Sequence, residues 1–349
     1  MSQALLEVRD LRKYFPVRGG LLRRVVANVR AVDGVSFSVS RGQTFGLVGE
    51  SGCGKSTLGR SIIRLQAPTA GQVLLEGEDI AAMSRKRLLP YRRRMQMIFQ
   101  DPYASLSPRR TVEQTLREPL DVHKIGKPGE RNRRVRELLE VVGLGTRALN
   151  RYPHEFSGGQ RQRVGIARAL ALEPQLIVAD EPVSALDVSV QSQILNLVED
   201  LQAEHGIAFI FIAHDLAVIQ HVSDVVGVMY LGRLVEIADS QALYAEPKHP
   251  YTRALMSAIP QPEPGGGRKR IVLDGEVPSP MNPPPGCPFH TRCPKVMDRC
   301  RSEPPALRNL GSESAPHWVS CHLHDAPFQS SRAAPPSGES PDLVSEGGG

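Results

Sequence analysis

Nine residues constrain this 349-residue chain more than any other feature: Gly49-Glu50-Ser51-Gly52-Cys53-Gly54-Lys55-Ser56-Thr57. They follow a short apolar run (44–48) and open a helical pattern (55–65), which predicts strand, glycine-rich loop, then helix. The three glycines let backbone amides converge on an anion without Cβ obstruction, and the helix N-terminus adds partial positive charge. This is the pattern of a phosphate-binding loop. Lys55 is expected to span β- and γ-phosphates of ATP, and Ser56 to hold its magnesium ion. Cys53 reads as a small filler of the loop, not a nucleophile.

The rest of the chain repeats the same alternation. Apolar runs at 96–99, 176–179 and 208–212 are each followed by a polar turn, and helical patterns occupy 133–142, 158–172 and 190–204. Strands alternating with helices predict a parallel sheet with ligands at the carboxyl ends of its strands. Residues 5–9 and 34–39 alternate like half-exposed strands, and 103–155 reads as a helical insertion. A Pro- and Gly-rich linker follows Pro260, with five prolines in 278–286, and the Ser/Pro/Gly composition of 326–349 predicts a disordered tail. The run Leu176-Ile177-Val178-Ala179 ends in Asp180 and Glu181. The first carboxylate would serve the magnesium shell and the second an attacking water; the alternative is a capping role in the following turn.

Between the loop and that strand stands Phe156-Ser157-Gly158-Gly159-Gln160-Arg161-Gln162-Arg163, which resembles the signature sequence of ABC-type ATPases. The resemblance extends to Gln100 in Ile98-Phe99-Gln100-Asp101-Pro102, to Ser184-Ala185-Leu186-Asp187, and to His214 in Ile212-Ala213-His214-Asp215, in the family's order. It covers about residues 5–255. It implies an α/β fold: a P-loop NTPase ABC-type nucleotide-binding domain with an antiparallel β subdomain and a helical insertion (about 103–165). A small Cys-containing C-terminal extension completes the expected chain, with ATPase 1–259, extension 260–325 and tail 326–349.

The same resemblance implies roles. Glu181 is the water-orienting base, His214 contacts the γ-phosphate, and Gln100 contacts metal and water. Asp180 joins Ser56 and Gln100 around magnesium. Gly49, Ser51, Gly52, Cys53, Gly54, Lys55, Ser56 and Thr57 cradle the phosphates. Phe15 stacks on adenine, with Tyr14 as the alternative. Ser157, Gly158, Gly159 and Asp187 act in trans, on nucleotide held by a partner subunit, because a second helix N-terminus at Ser157 offers another anion site.

Four longer stretches (48–57, 151–163, 180–188 and 249–258), together with the run 275–287, resemble the F-type ATP-binding subunits of dipeptide and oligopeptide importers. That implies a translocase paired with a second homologous ATPase as a heterodimer. Two integral-membrane permeases and an extracytoplasmic peptide-binding protein would complete the assembly. Importers of nickel or glutathione share much of the pattern, and a soluble non-transport ABC ATPase is the remaining alternative. No apolar stretch approaches the ~20 residues of a membrane span, and the N-terminus lacks the build of a secretory signal. The expected location is peripheral, on the cytoplasmic face of the inner membrane. The net charge of +6 suits an anionic neighbour or merely a solvated basic surface, and no nucleic-acid partner is expected. The basic stretch from Arg85 to Arg94 either faces anionic lipid or is a solvated helix face.

Cys287, Cys293, Cys300 and Cys321 crowd a proline-rich segment with little capacity for its own core. Their spacing fits neither paired CxxC zinc sites nor the commoner ferredoxin runs. Four thiols match the ligand count of a 4Fe-4S cluster, which the resemblance to peptide-importer ATPases also implies. Zinc, with His290, His317 or His322 as spare ligands, and unligated thiols are the alternatives.

Overall fold

The computed structural model describes residues 4–20, 24–259 and 271–325. In chain order the strands are β1 (Leu6–Gly19), β2 (Arg24–Val39), β3 (Thr44–Val48), β4 (Ala70–Leu75), β5 (Glu78–Asp79) and β6 (Met95–Ile98). They continue with β7 (Leu176–Asp180), β8 (Ala208–Ile212), β9 (Val225–Tyr230), β10 (Arg233–Asp239), β11 (Arg308–Asn309) and β12 (His317–Val319). Every residue of β3, β7 and β8 is buried, as expected of parallel strands covered on both faces. They form the middle of an eight-stranded sheet ordered β11-β12-β10-β9-β3-β8-β7-β6. From β9 to β6 the neighbours are parallel, whereas β9, β10, β12 and β11 pair antiparallel. The four-stranded antiparallel sheet β2-β1-β4-β5 makes the second layer.

The two-residue period of the central strands divides the core. Leu47, Val178, Ile210 and Ile212 point to the side shared with the antiparallel sheet and α1 (Lys55–Ile62). Ile177, Ala179, Phe209 and Phe211 point to the opposite side, where most of the helices pack. Among the helices are α2 (Arg85–Arg94), α3 (Pro102–Ser105), α4 (Val112–Val122), α5 (Pro128–Val141), α6 (Gly158–Leu170) and α7 (Val188–His205), followed by α8 (Leu216–Val222), α9 (Ser240–Ala245) and α10 (Pro250–Met256). The helical insertion is therefore present as α3 to α5. A reciprocal pair of hydrogen bonds between Thr111 and Gln114 starts α4 where the sequence predicts helix.

Three expectations change in detail. β1 and β2 extend well past 5–9 and 34–39, because residues 12–19 and 24–33 continue as a long hairpin with several register shifts. The hairpin β9–β10 and the short strands β11 and β12 are additional to the predicted elements. The basic stretch is helix α2, and it is not uniformly solvated. Arg85, Lys86 and Arg87 are exposed. Arg94, however, bonds Gln175 at 2.7 Å and pairs with Glu76, which ties the helix end to the neighbouring strands.

Residues 271–325 hold few regular elements: β11, β12, one turn of helix, α11 (Arg299–Ser302), and a 3-10 turn at His322–His324. They borrow a core, since Cys287, Phe289 and Cys300 bury themselves in the helical-side cluster of the main sheet. β12 adds to β10, and His317 Nε2 lies 2.7 Å from the fully buried carboxylate of Glu236. That carboxylate also accepts the Lys248 and His249 amides at 2.7 and 2.9 Å. The linker 261–270 and the tail 326–349 lie outside the described residues.

Candidate active site

The sheet topology brings the carboxyl ends of β6, β7 and β8 beside the loop between β3 and α1. That loop can be made only with glycine at two points. A Cβ on Gly54 (φ 108°) would stand 2.0 Å from the Ala31 carbonyl oxygen, and one on Gly49 would stand 2.2 Å from that of Met229. Lys55, 5% exposed, folds back so that Nζ donates to the Gly49 and Glu50 carbonyls at 2.7 and 3.2 Å. No carboxylate among the described residues forms an ion pair with it. A buried ammonium satisfied by loop carbonyls and the Cys53 sulfur at 4.0 Å, with no carboxylate partner among those residues, is a site prepared for an anion. Cys53 is buried below the loop, and burial pushes its thiol pKa up, so it stays protonated and fills space. Ser51 and Gly52 are exposed at the loop tip, while Ser56 and Thr57 begin α1.

Ser56 Oγ donates to Asp180 Oδ1 at 2.6 Å, and Asp180 is fully buried at the end of β7. Arg60, one helical turn after Ser56, reaches the other carboxylate oxygen at 3.3 Å. Hydroxyl and carboxylate together are the hard oxygen donors that suit magnesium. The next residue, Glu181, takes a left-handed backbone (φ 46°), and its amide donates to the Ile212 carbonyl at 2.9 Å. This turn aims its carboxylate across the strand ends. Gln100 Nε2 donates to Glu181 Oε2 at 3.0 Å, and His214 Nδ1 lies 3.2 Å from the same oxygen. Residues from three strand ends thus meet at one half-buried carboxylate, flanked by the Ser56–Asp180 pair.

The other predicted residues stand apart from this centre. Ser157 is exposed and caps α6: its Oγ accepts the Gln160 amide at 3.3 Å, and the Gln160 side chain accepts the Ser157 amide at 3.1 Å. Gly159 is buried, and a Cβ there would strike Val190 of α7 at 2.3 Å, so this glycine also serves helix packing. Gly158 lies beside Leu186, and Asp187 is exposed just before α7, its side chain making no cap hydrogen bond while its carbonyl accepts the Val190 and Gln191 amides. Phe15 is half-buried under Lys13 Nζ, 4.8 Å from its ring centre, whereas Tyr14 is anchored through its hydroxyl to Asp33.

Two contacts to the phosphate loop have no counterpart among the sequence motifs. The Glu50 amide donates to the Tyr251 hydroxyl at 2.9 Å, and its carboxylate is forked by Arg292 at 2.8 and 3.1 Å. Arg60 could have been found from its spacing of four from Ser56. Arg292, 242 residues from Glu50, leaves no local signal.

The metal expectation for the extension is corrected. Among the described residues no three His, Cys, Asp or Glu side chains are gathered to hold a metal ion. Zinc therefore finds no site, and the iron–sulfur reading gains no support there. Cys287, Cys293, Cys300 and Cys321 are free thiols. Burial first, and one another's charge in addition, push Cys287 up to about 11 and Cys321 up to about 12.

Comparison with known proteins agrees with this geometry. A family described as ABC transporter matches residues 32–184, and one described as the oligopeptide/dipeptide transporter C-terminal region matches 235–300. The oligopeptide transport ATP-binding protein AppF of Bacillus subtilis is 55% identical over 327 residues, covering 93% of this chain and 98% of that protein. The probable peptide ABC transporter ATP-binding protein y4tS of Sinorhizobium fredii is 54% identical over 335 residues, 96% of this chain and 94% of its own length. Among solved structures, the dimeric ATP-binding cassette MJ0796 in a post-hydrolysis state with ADP and Pi is similar at a TM-score of 0.60 and 28% identity. The match covers 67% of this chain and 98% of that one. No described helix is long and apolar enough to cross a membrane.

Proposed function

This chain belongs to the ATP-binding subunits of oligopeptide/dipeptide ABC transporters, and from that premise we propose how its residues divide the work of ATP-driven peptide import. The observation that carries the proposal is the meeting of Gln100 and His214 on Glu181, beside the Ser56–Asp180 pair. Lys55 would leave the loop carbonyls to grip the β- and γ-phosphates, and Ser56, Asp180 and Gln100 are the residues that would hold magnesium, which would supply positive charge to the phosphates. Glu181, oriented from both sides, takes the proton of the attacking water. Phe15 supports the adenine. Ser157 with Gly158, Gly159 and Asp187 closes over nucleotide held by a second subunit, an arrangement supported by the exposure of the Ser157 helix end.

The nickel, glutathione and non-transport alternatives are not favoured, since the C-terminal match and the similar proteins are those of peptide transport. In the finer reading the subunit pairs with a different ATPase and sits peripherally under the inner membrane. Two permeases and an external binding protein complete the complex. A cleft of about 620 Å³ bordered by Phe99, Gln100, Asp101 and Arg168 is the proposed seat of a permease helix. Residues 1–259 form the motor and 260–325 its extension. An iron–sulfur cluster on the four cysteines is a further proposal, supported by their free thiols and by their ligand count. Iron and acid-labile sulfide in anaerobically purified protein are its expected signs, and colourless, iron-free protein would end it.

The main test is hydrolysis of Mg-ATP by the assembled transporter. Ser157→Arg should abolish turnover while the chain still binds nucleotide through Lys55. Full-rate hydrolysis by monomeric chain carrying that substitution would sink the two-subunit reading.

A further inference from the structure

The phosphate loop is held in part from outside the nucleotide-binding core. Glu50 is its second residue, and both ends of Glu50 are taken. Its amide is bound by Tyr251, which is fully buried, and its two carboxylate oxygens are bound by the two terminal nitrogens of Arg292. The Arg292 side chain is only 7% exposed, so this fork lies where water competes little. Its stem is fixed by sequence neighbours that are themselves anchored. Phe289, 1% exposed, packs edge-on against Tyr230 at 5.3 Å and tilted against Tyr251 at 5.4 Å, and its carbonyl accepts the Arg292 amide at 3.0 Å. The Cys287 amide donates to the Cys300 carbonyl at 2.8 Å, which ties this turn to the rest of the extension. Tyr251 and Arg292 thus form one clamp around the start of a loop that also contains Gly49, Gly52 and Gly54.

A loop this rich in glycine has unusual conformational freedom, and that freedom must be lost when its amides converge on phosphate. Fixing one end of it beforehand lowers that cost and so raises affinity for nucleotide without touching the reacting atoms. We propose that Arg292, from the C-terminal extension, is a positioning residue of the phosphate loop, acting through the carboxylate of Glu50. The assignment rests on the reading of this loop as the ATP site. It makes the extension a working part of the nucleotide site, not an appendage. It also gives any change in the surrounding cysteine-bearing turn a route to ATP affinity, because Arg292 and Cys293 are consecutive.

The experiment is steady-state Mg-ATP hydrolysis by the assembled transporter, with KM and kcat read separately. Arg292→Met, which keeps the length of the stem but loses the fork, should raise KM for ATP by roughly tenfold and leave kcat within about twofold, as expected when only preorganisation is lost. Arg292→Lys should recover part of the change, since it restores the charge without the bidentate geometry. Glu50→Gln should raise KM similarly, and Arg292→Met combined with Glu50→Gln should be no worse than either alone. If Arg292→Met does not fold, Glu50→Gln carries the test by itself, because that side chain lies on the loop and is partly exposed. Unchanged KM in both single variants, or a double variant whose KM rises by the product of the two, would overturn the assignment. Lys55→Ala separates this from the underlying reading. If Lys55→Ala retains ATP affinity, the ATP-site reading fails; if it loses affinity while the Arg292 variants do not, only the positioning role fails.

Discussion

The strand ends that form the proposed nucleotide site and the C-terminal extension that leans on them are built on opposite plans. At the strand ends each functional residue follows directly from the element before it: Gln100 after β6, Asp180 and Glu181 at the end of β7, His214 after β8. The parallel sheet then supplies the convergence without further instruction. The extension has two short strands and two short helical turns, and its position depends on particular side chains reaching far along the chain. His317 meets Glu236, Phe289 meets Tyr230 and Tyr251, and Arg292 meets Glu50. One region is specified by repeated local pattern, the other by a handful of unique pairs. The lesson is that the second kind of structure concentrates its stability in few residues, and single substitutions should expose it.

The largest effect is expected in the first region, where chemistry depends on one group. Glu181→Gln keeps the shape and the hydrogen bond to Gln100 but removes the proposed base. Turnover in the assembled transporter should fall by roughly 10²–10⁴-fold with nucleotide binding retained and the closed two-subunit state accumulating. Rapid hydrolysis by this variant would take Glu181 out of its role and leave the convergence on it without a chemical purpose.

Phe289→Ala attacks the second region at its anchor. Removing a side chain that is 1% exposed among three aromatic or imidazole rings should cost about 3–5 kcal/mol. Phe209→Ala, at a fully buried position in β8, sets the scale for the parallel sheet. If the extension is continuous with the core, urea unfolding of the full chain should keep one transition at a lower midpoint in both variants. If the loss frees only residues after 271, limited proteolysis would clip the extension while the main transition stays in place, and the comparison would sharpen into two separate stabilities. An unaltered midpoint with no new cleavage would contradict the anchoring role.

The same contrast explains what is legible in the sequence. The phosphate loop, the strand ending in Asp180 and Glu181, and the helix starting at Ser157 are contiguous strings whose residue types dictate backbone conformation, so the residues alone are enough to place them. The hairpin β9–β10 escapes such a reading because Val225–Tyr230 and Arg233–Asp239 are apolar runs parted by only two residues, Leu231 and Gly232, and carry no separate motif. The length of β1 and β2 escapes it because residues 12–19 and 24–33 pair mostly in the open, with Val25 and Val26 more than half exposed and only the short run 27–31 alternating apolar with polar. Arg292 and Tyr251 could not be tied to Glu50 at all, since nothing at separations of 242 and 201 residues constrains pairing until the sheet is assembled. The four cysteines mark a limit of composition: a count of four thiols suggests a ligand set, but the spacing alone does not say how the side chains are arranged.

A smaller effect tests the junction between the two regions through pH. His249 is 1% exposed at the start of α10, where Nδ1 accepts the Tyr251 amide at 3.1 Å and so must carry no proton. Burial lowers its pKa to about 4, with His324 adding to the shift and Glu236 opposing it. The unfolded chain titrates this imidazole near its ordinary value of about 6.5. As pH falls from about 6.5 to about 4 the unfolded state therefore binds a proton that the folded state refuses, and stability must decrease across that window. At pH 5 the loss from this group should be about 2 kcal/mol. Glu236 acts in a lower window. Its burial alone would raise its pKa, but hydrogen bonds from His317 and from the Lys248 and His249 amides hold it below the usual value. Its contribution is therefore kept above the ordinary carboxylate pKa and lost only at more acid pH. His249→Asn retains a side-chain acceptor for the helix start and abolishes the titration. Urea midpoints of the full chain at pH 7.5, 6 and 5 should fall steeply for the natural sequence and much less for the variant. Equal slopes in the two proteins would mean that the acid sensitivity of this junction resides elsewhere.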